Sequence, residues 1–133
     1  MDTKSVILLL DTLPTGLKAN IAAVLGMSLG RYCPELVGGP VITADGCELP
    51  GITTTPVPIL SADESVLRDI FLTAGDLDLL VPFGTAALTT KDYDDYSRKL
   101  RSLAIGDQGV RGLLLCGPKK TVNKLVGQLA LLR

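Results

Sequence analysis

Residues 6–10, Val-Ile-Leu-Leu-Leu, form an unbroken apolar run that begins after Ser5 and stops at Asp11, Pro14 and Gly16. A half-exposed strand would alternate apolar and polar residues. A run with no alternation suits a strand buried on both faces, followed by a loop. Gly112-Leu113-Leu114-Leu115-Cys116 repeats the signal near the other end of the chain. Between and around these strands the period changes to that of a helix. Leu17, Ile21, Val24, Leu25 and Leu29 follow i, i+4, i+7, i+8 spacing, with Ala22, Ala23, Gly26 and Ser28 keeping that helix slim against a sheet. Ser61-Ala62-Asp63-Glu64 has the form of a capping box opening a helix with Val66, Leu67, Ile70, Phe71 and Ala74 on its apolar face. A strand is expected at Leu77–Val81. Thr90 is a candidate cap for a helix burying Tyr93, Tyr96, Leu100 and Leu103, and Gly117-Pro118 opens a last helix carrying Val122, Leu125, Val126 and Leu129. Asp45-Gly46 marks a hairpin, and the prolines of Thr55–Leu60 suit an edge strand because each lacks a ladder donor. The alternation predicts an α/β, three-layer domain over residues 1–133, with a mixed four- to five-stranded sheet and helices on both faces.

Composition narrows the chemistry. The 133 residues include no histidine, which removes the Ser-His and Cys-His dyads and the two-His zinc sites. Cys33, Cys47 and Cys116 are odd in number and contain no CxxC pair, so neither a disulfide framework nor a zinc ribbon is indicated and a reducing cytoplasm is expected. The apolar run at the N-terminus is too short for a signal sequence or a membrane span. Residues 98–133 hold eight basic side chains against Asp107 alone, a net +7, while the whole chain carries −1. Such a segment suits a nucleic acid or another anion only if its charges share a face. No P-loop, GxGxxG or GxSxG pattern occurs, so no cofactor is expected.

Ligand sites in open α/β sheets lie beyond the carboxyl ends of the strands. The loop after the first strand places Asp11, Thr12, Thr15, Gly16, Lys18 and Asn20 around a helix N-terminus, where free backbone donors also favour an anion. Lys18 could serve as the cation for a phosphate or carboxylate. In the alternative, Asp11 and Thr15 cap the helix and Lys18 is solvated. Asp92, Asp94 and Asp95 read as the favourable acidic start of a helix, with Asp94 and Arg98, and Asp95 and Lys99, as i, i+4 pairs, rather than as a metal cluster. Cys116 precedes a helix start but has no histidine to activate it, and reads as a small core hydrophobe.

The segment Leu13-Pro14-Thr15-Gly16-Leu17-Lys18-Ala19-Asn20-Ile21-Ala22-Ala23-Val24-Leu25-Gly26, with Asp45-Gly46, Pro50-Gly51-Ile52, Pro56–Leu60 and Asp92–Tyr96, resembles the family called domain of unknown function 2000. The resemblance covers nearly the whole chain and implies a peptidyl-tRNA hydrolase II-like fold. Lys18–Ala23 is similar to the lysine-rich loop and Ile-Ala-Ala helix of that hydrolase, and Leu113–Pro118 with the residues after it to its closing strand and terminal helix. The chain departs from the hydrolase pattern where chemistry would sit. Asn20 stands where the second lysine is expected, Val24 replaces a glutamine, and Leu80–Thr85 takes the place of the Asp-Ala-Gly-x-Thr-Gln motif. Three readings stay open: a site for a small anionic or polar ligand, with Asp11, Thr12, Thr15, Lys18 and Asn20 facing Phe83 and Thr85; a structural or partner-binding homodimer; and a residual peptidyl-tRNA hydrolase-type esterase. Neither a metal nor a membrane enters any of them, and whether the chain is an enzyme is left undecided.

Overall fold

The structure, a computed structural model, describes residues 2–133. In chain order it contains β1 (Thr3–Leu10), α1 (Thr15–Tyr32), a 3-10 turn at Pro34–Leu36, β2 (Val41–Ile42), β3 (Glu48–Leu49), β4 (Ile59–Ala62), α2 (Glu64–Thr73) and β5 (Leu79–Gly84). There follow α3 (Thr85–Leu88), α4 (Tyr93–Arg101), a 3-10 turn at Ile105–Asp107, β6 (Val110–Pro118) and α5 (Lys119–Val126).

The two apolar runs become the neighbouring central strands of a four-stranded sheet of order β4-β1-β6-β5. β1 pairs antiparallel with β6, from Thr3 opposite Pro118 to Leu9 opposite Gly112, and parallel with β4, from Ile7 opposite Ile59 to Leu10 opposite Ala62. β5 pairs antiparallel with β6. The sheet is therefore mixed.

Side-chain alternation explains why β1 must be apolar throughout. Val6, Leu8 and Leu10 join Leu113, Leu115, Leu67, Ile70, Val122 and Val126 in one core, under α2 and α5. Ile7 and Leu9 point the other way, joining Leu114, Cys116 and Phe83 under Ile21, Leu25 and Leu29 of α1. Each fully buried leucine contributes about 1.5–3 kcal/mol relative to exposure, so a polar residue at either parity of β1 would be costly. α1 sits close because Gly112 offers no side chain: a Cβ there would stand 2.5 Å from Ile21 Cγ2.

Local details differ from the sequence reading in four places. Asp63, not Ser61, caps α2, its Oδ1 accepting from the Val66 amide at 2.8 Å and from the Ser65 hydroxyl at 3.1 Å. Ser61 stays in β4 because pairing with β1 continues to Ala62. Likewise Asp92, not Thr90, caps α4 by accepting from the Asp95 amide at 2.8 Å. The third sheet strand starts at Leu79 and runs on through Phe83 and Gly84. The anticipated buried face of α4 is absent: no residue of that helix is buried, and Tyr93 is 77% exposed. α4 packs on α3 beyond the sheet edge, where no further layer covers it. The Asp45-Gly46 hairpin is present as the β2–β3 ribbon, separate from the main sheet, with Gly46 at φ +90°.

Candidate functional site

β1, β4 and β5 share one direction and β6 opposes them, so the loops after Leu10, Ala62 and Gly84 gather at one end of the sheet with the start of β6. The Asp11 amide donates to the Ala62 carbonyl at 2.9 Å, tying the first two of these loops together. The chain then turns through Pro14, the N-cap of α1, whose backbone is extended and which has no side chain able to accept from the helix. Neither Asp11 nor Thr15 caps the helix, and its first turn holds no acidic residue. The Lys18 amide is the first to find a helical partner, the Pro14 carbonyl at 3.0 Å. The preceding amides keep free hydrogen-bonding capacity, as helix starts do.

Asp11, Thr12, Thr15 and Asn20 are exposed around this start, and Lys18 is half-buried. Among the described residues Lys18 makes no ion pair and no side-chain hydrogen bond. A cation in the first turn is in the wrong place for helix stability, because the aligned peptide dipoles already make that end positive. The arrangement concentrates unopposed positive charge at one point: free amides and an ammonium group with no carboxylate bound to it.

Phe83 and Thr85 are placed differently. Phe83 is buried in the core beneath α1. Thr85 ties the end of β5 to the loop before β6. Its amide donates to the carbonyls of Gln108 and Gly109, both at 3.2 Å, and its hydroxyl to Gln108 at 3.3 Å. These two residues shape and brace the end of the sheet.

Two polar groups at the same end carry no motif. The register of β5 on β6 skips Arg111, since Phe83 faces Gly112 and Gly84 faces Val110. Arg111 keeps the parity of Leu113 and faces α2, where Nη1 meets Glu64 Oε1 at 3.5 Å, while the bulge brings Val110 into the same core. Gln108 is buried, and its Nε2 donates to the carbonyls of Leu103 and Ala104 at 3.2 and 3.3 Å. Both carbonyls need a donor, which fixes the amide orientation and leaves the buried Oε1 without a partner. Gln108 also lines a cavity of about 190 Å³ with Arg68, Phe71 and Asp107. The Arg111–Glu64 contact depends on which helix covers that face of β6, and an orphaned acceptor on three-dimensional burial, so neither leaves a sequence signal.

The remaining sequence candidates resolve in structural terms. Asp95 takes both partners expected for the acidic run, Lys99 at 3.2 Å and Arg98 at 3.3 Å, and the Lys91 amide that donates to it, with Lys99 and then Arg98, holds its carboxyl below the ordinary range. Among the described residues no group of three or more Cys, Asp or Glu could hold a metal. Cys116 is buried, and burial together with the neighbouring Cys116 sulfur pushes the Cys33 thiol up to about 11. A thiol so protonated at neutral pH is a poor nucleophile. Of the C-terminal basic residues, Arg98, Lys99 and Arg111 are paired with carboxylates. No helix among the described residues is long and apolar enough to cross a membrane.

Residues 3–133 match the model of a family described as a protein of unknown function, DUF2000. The chain belongs to the DUF2000 family. A solved structure titled as the protein of unknown function Atu0240 from Agrobacterium tumefaciens strain C58 is 21% identical, with a TM-score of 0.91 over 100% of this chain and 99% of that one. At that identity the likeness shows the fold alone: this DUF2000 chain and Atu0240 share the whole of their α/β architecture. No curated protein matches.

Proposed function

We infer that this DUF2000 protein binds a small anionic or polar ligand at the loop between β1 and α1, through Lys18 and the free amides at the start of α1. Asp11, Thr12, Thr15 and Asn20 supply the surrounding polar groups, and Phe83 and Thr85 brace the sheet end beneath them. The observation that carries the reading is Lys18 itself, half-buried and unpaired in the first turn of an 18-residue helix that has neither a side-chain cap nor an acidic residue there. A lysine that opposes the helix dipole without a local partner is a cost to the fold, and such costs concentrate at functional positions.

The reading retains the peptidyl-tRNA hydrolase II-like fold. What supports it is a mixed four-stranded sheet whose first strand leads through Lys18 into Ile21-Ala22-Ala23, and whose last strand turns through Gly117-Pro118 into α5. Binding is favoured over turnover because Asn20, Val24 and Phe83 bring no acid or base to the lysine. The three free cysteines fit a reducing, cytoplasmic setting. Calorimetric titration with inorganic phosphate tests the site: saturable binding that Lys18→Ala abolishes is expected, and equal heats from both proteins would overturn it. Cleavage of peptidyl-tRNA that Lys18→Ala abolishes would replace binding by the esterase reading.

A symmetric homodimer is the second reading, favoured by the apolar side chains left in water around the β2–β3 ribbon. Val41, Ile42, Leu49 and Ile52 are 53–81% exposed, and Met27 on α1 is 79% exposed. A cluster of this kind is a common mark of an association surface. Sedimentation equilibrium of the wild type and Ile52→Asp decides it: dissociation on substitution supports the dimer, and a monomeric wild type excludes it.

A further inference from the structure

A second concavity, separate from the β1–α1 loop, opens between α1, the edge strand β5 and α4. Its volume is about 530 Å³, within the range of small-molecule sites. Leu79 and Val81 of β5 and Val24 of α1 give it apolar walls. The chain has three tyrosines, and all of them, Tyr32, Tyr93 and Tyr96, line this groove. Tyr32 and Tyr93 are 63% and 77% exposed. The rings of Tyr93 and Tyr96 stand 5.7 Å apart at 58°, forming a corner.

Charge distinguishes among occupants. Among the described residues Asp92 is the one charged side chain lining the groove. Its Oδ1 accepts from the Asp95 amide, and its other carboxylate oxygen has no hydrogen bond among the described residues. Aromatic faces and a carboxylate with no neighbouring lysine or arginine in the lining attract a cation. A second strand added along β5 is opposed by Pro82, which removes a donor from that edge. An anionic ligand would meet only an anion.

We propose that this groove binds an organic ammonium cation with an apolar tail, the tail lying on Leu79 and Val81 and the head between Tyr93, Tyr96 and Asp92. The site is independent of the Lys18 site and of opposite preference.

The chain contains no tryptophan, so its intrinsic emission comes from the three groove tyrosines. Titration with hexyltrimethylammonium chloride, read by tyrosine emission, is expected to saturate. Hexan-1-ol and hexanoate, which keep the tail and change the head, should bind at least about tenfold more weakly. Asp92→Asn preserves a good helix cap and should weaken the cation about tenfold. Tyr93→Leu should weaken it about fivefold, Tyr93→Phe should retain it, and Lys18→Ala should leave it unchanged. Equal binding of hexan-1-ol, or unchanged affinity in both Asp92→Asn and Tyr93→Leu, overturns the proposal. So does self-association in sedimentation that Tyr93→Leu abolishes, which would make a second copy of the chain the occupant.

Discussion

Gly112→Ala tests how α1 is held on the sheet that presents Lys18. The new Cβ would lie 2.5 Å from Ile21 Cγ2, with Leu25 Cδ1 and Leu9 Cδ2 each at 3.4 Å. An ordinary carbon–carbon contact is about 3.5–4.0 Å, so roughly 1 Å or more must be found. Ile21 is fully buried, and its branched side chain is stiff in a helix, so the adjustment falls on α1 as a whole. The two leucine methyls close the sideways escape. Overpacking of this kind costs about 1–3 kcal/mol, and the crowding places Gly112→Ala at about 2–3 kcal/mol, or roughly 6–12 °C in Tm for a chain of this size. Urea and thermal melts followed by circular dichroism would measure it. Ile21→Ala alone should cost about 2–5 kcal/mol, yet it removes the clashing methyl, so the double variant should be at least about 1 kcal/mol more stable than the sum of the single effects. A Gly112→Ala loss under about 0.5 kcal/mol, or strict additivity of the pair, would refute the packing described for α1.

In the absence of ligand, Lys18→Ala should raise stability by about 0.3–1 kcal/mol, since it removes a cation from a helix N-terminus; denaturant melts would show this, and a loss would mean that Lys18 has a structural partner. Alkylation followed by mass spectrometry should label exposed Cys47 first, with Cys33 slow at pH 8 and accelerating only as pH rises toward its pKa of about 11; equal rates for Cys33 and Cys47 at pH 8 would contradict the raised pKa of this half-buried thiol. Asp63 and Asp95 are held below the ordinary carboxylate value of 3.8 by the amides and side chains that donate to them. A depressed pKa gives stability that is present above the unfolded value and lost as pH falls through the folded one. Helical signal from α2 and α4 should therefore decline below pH 3.8, and the Asp63→Asn variant should show a smaller decline.

The core was legible because its signals are local. The unbroken β1 run implied cover on both faces, and the Ile21, Leu25, Leu29 stripe identified the face of α1 that meets Leu9 and Leu114. Caps were less legible: Ser61 and Asp63 both suit the start of α2, and only the parallel ladder ending at Leu10 and Ala62 decides between them. The Tyr93, Tyr96, Leu100 stripe has helical spacing, but spacing does not reveal that α4 lies past the last strand, where Tyr96 and Leu100 are only half-buried and Tyr93 is exposed. At the candidate site the same division holds. Lys18 could be singled out from its loop, while the unopposed helix start depends on Asp11 donating its backbone amide to Ala62 while its carboxylate accepts from no amide of α1. Arg111 and Gln108 owe their surroundings to the packing of α2 on β6 and to burial, which local sequence does not reveal.

The site at the start of α1 is tested most directly by following backbone amides in ¹⁵N-resolved NMR while inorganic phosphate is added at constant ionic strength. Saturable shifts centred on Thr15, Gly16, Leu17 and Lys18 that vanish in Lys18→Ala are expected. Shifts that are unsaturable, spread over the basic residues of α5, or unchanged by Lys18→Ala would contradict it.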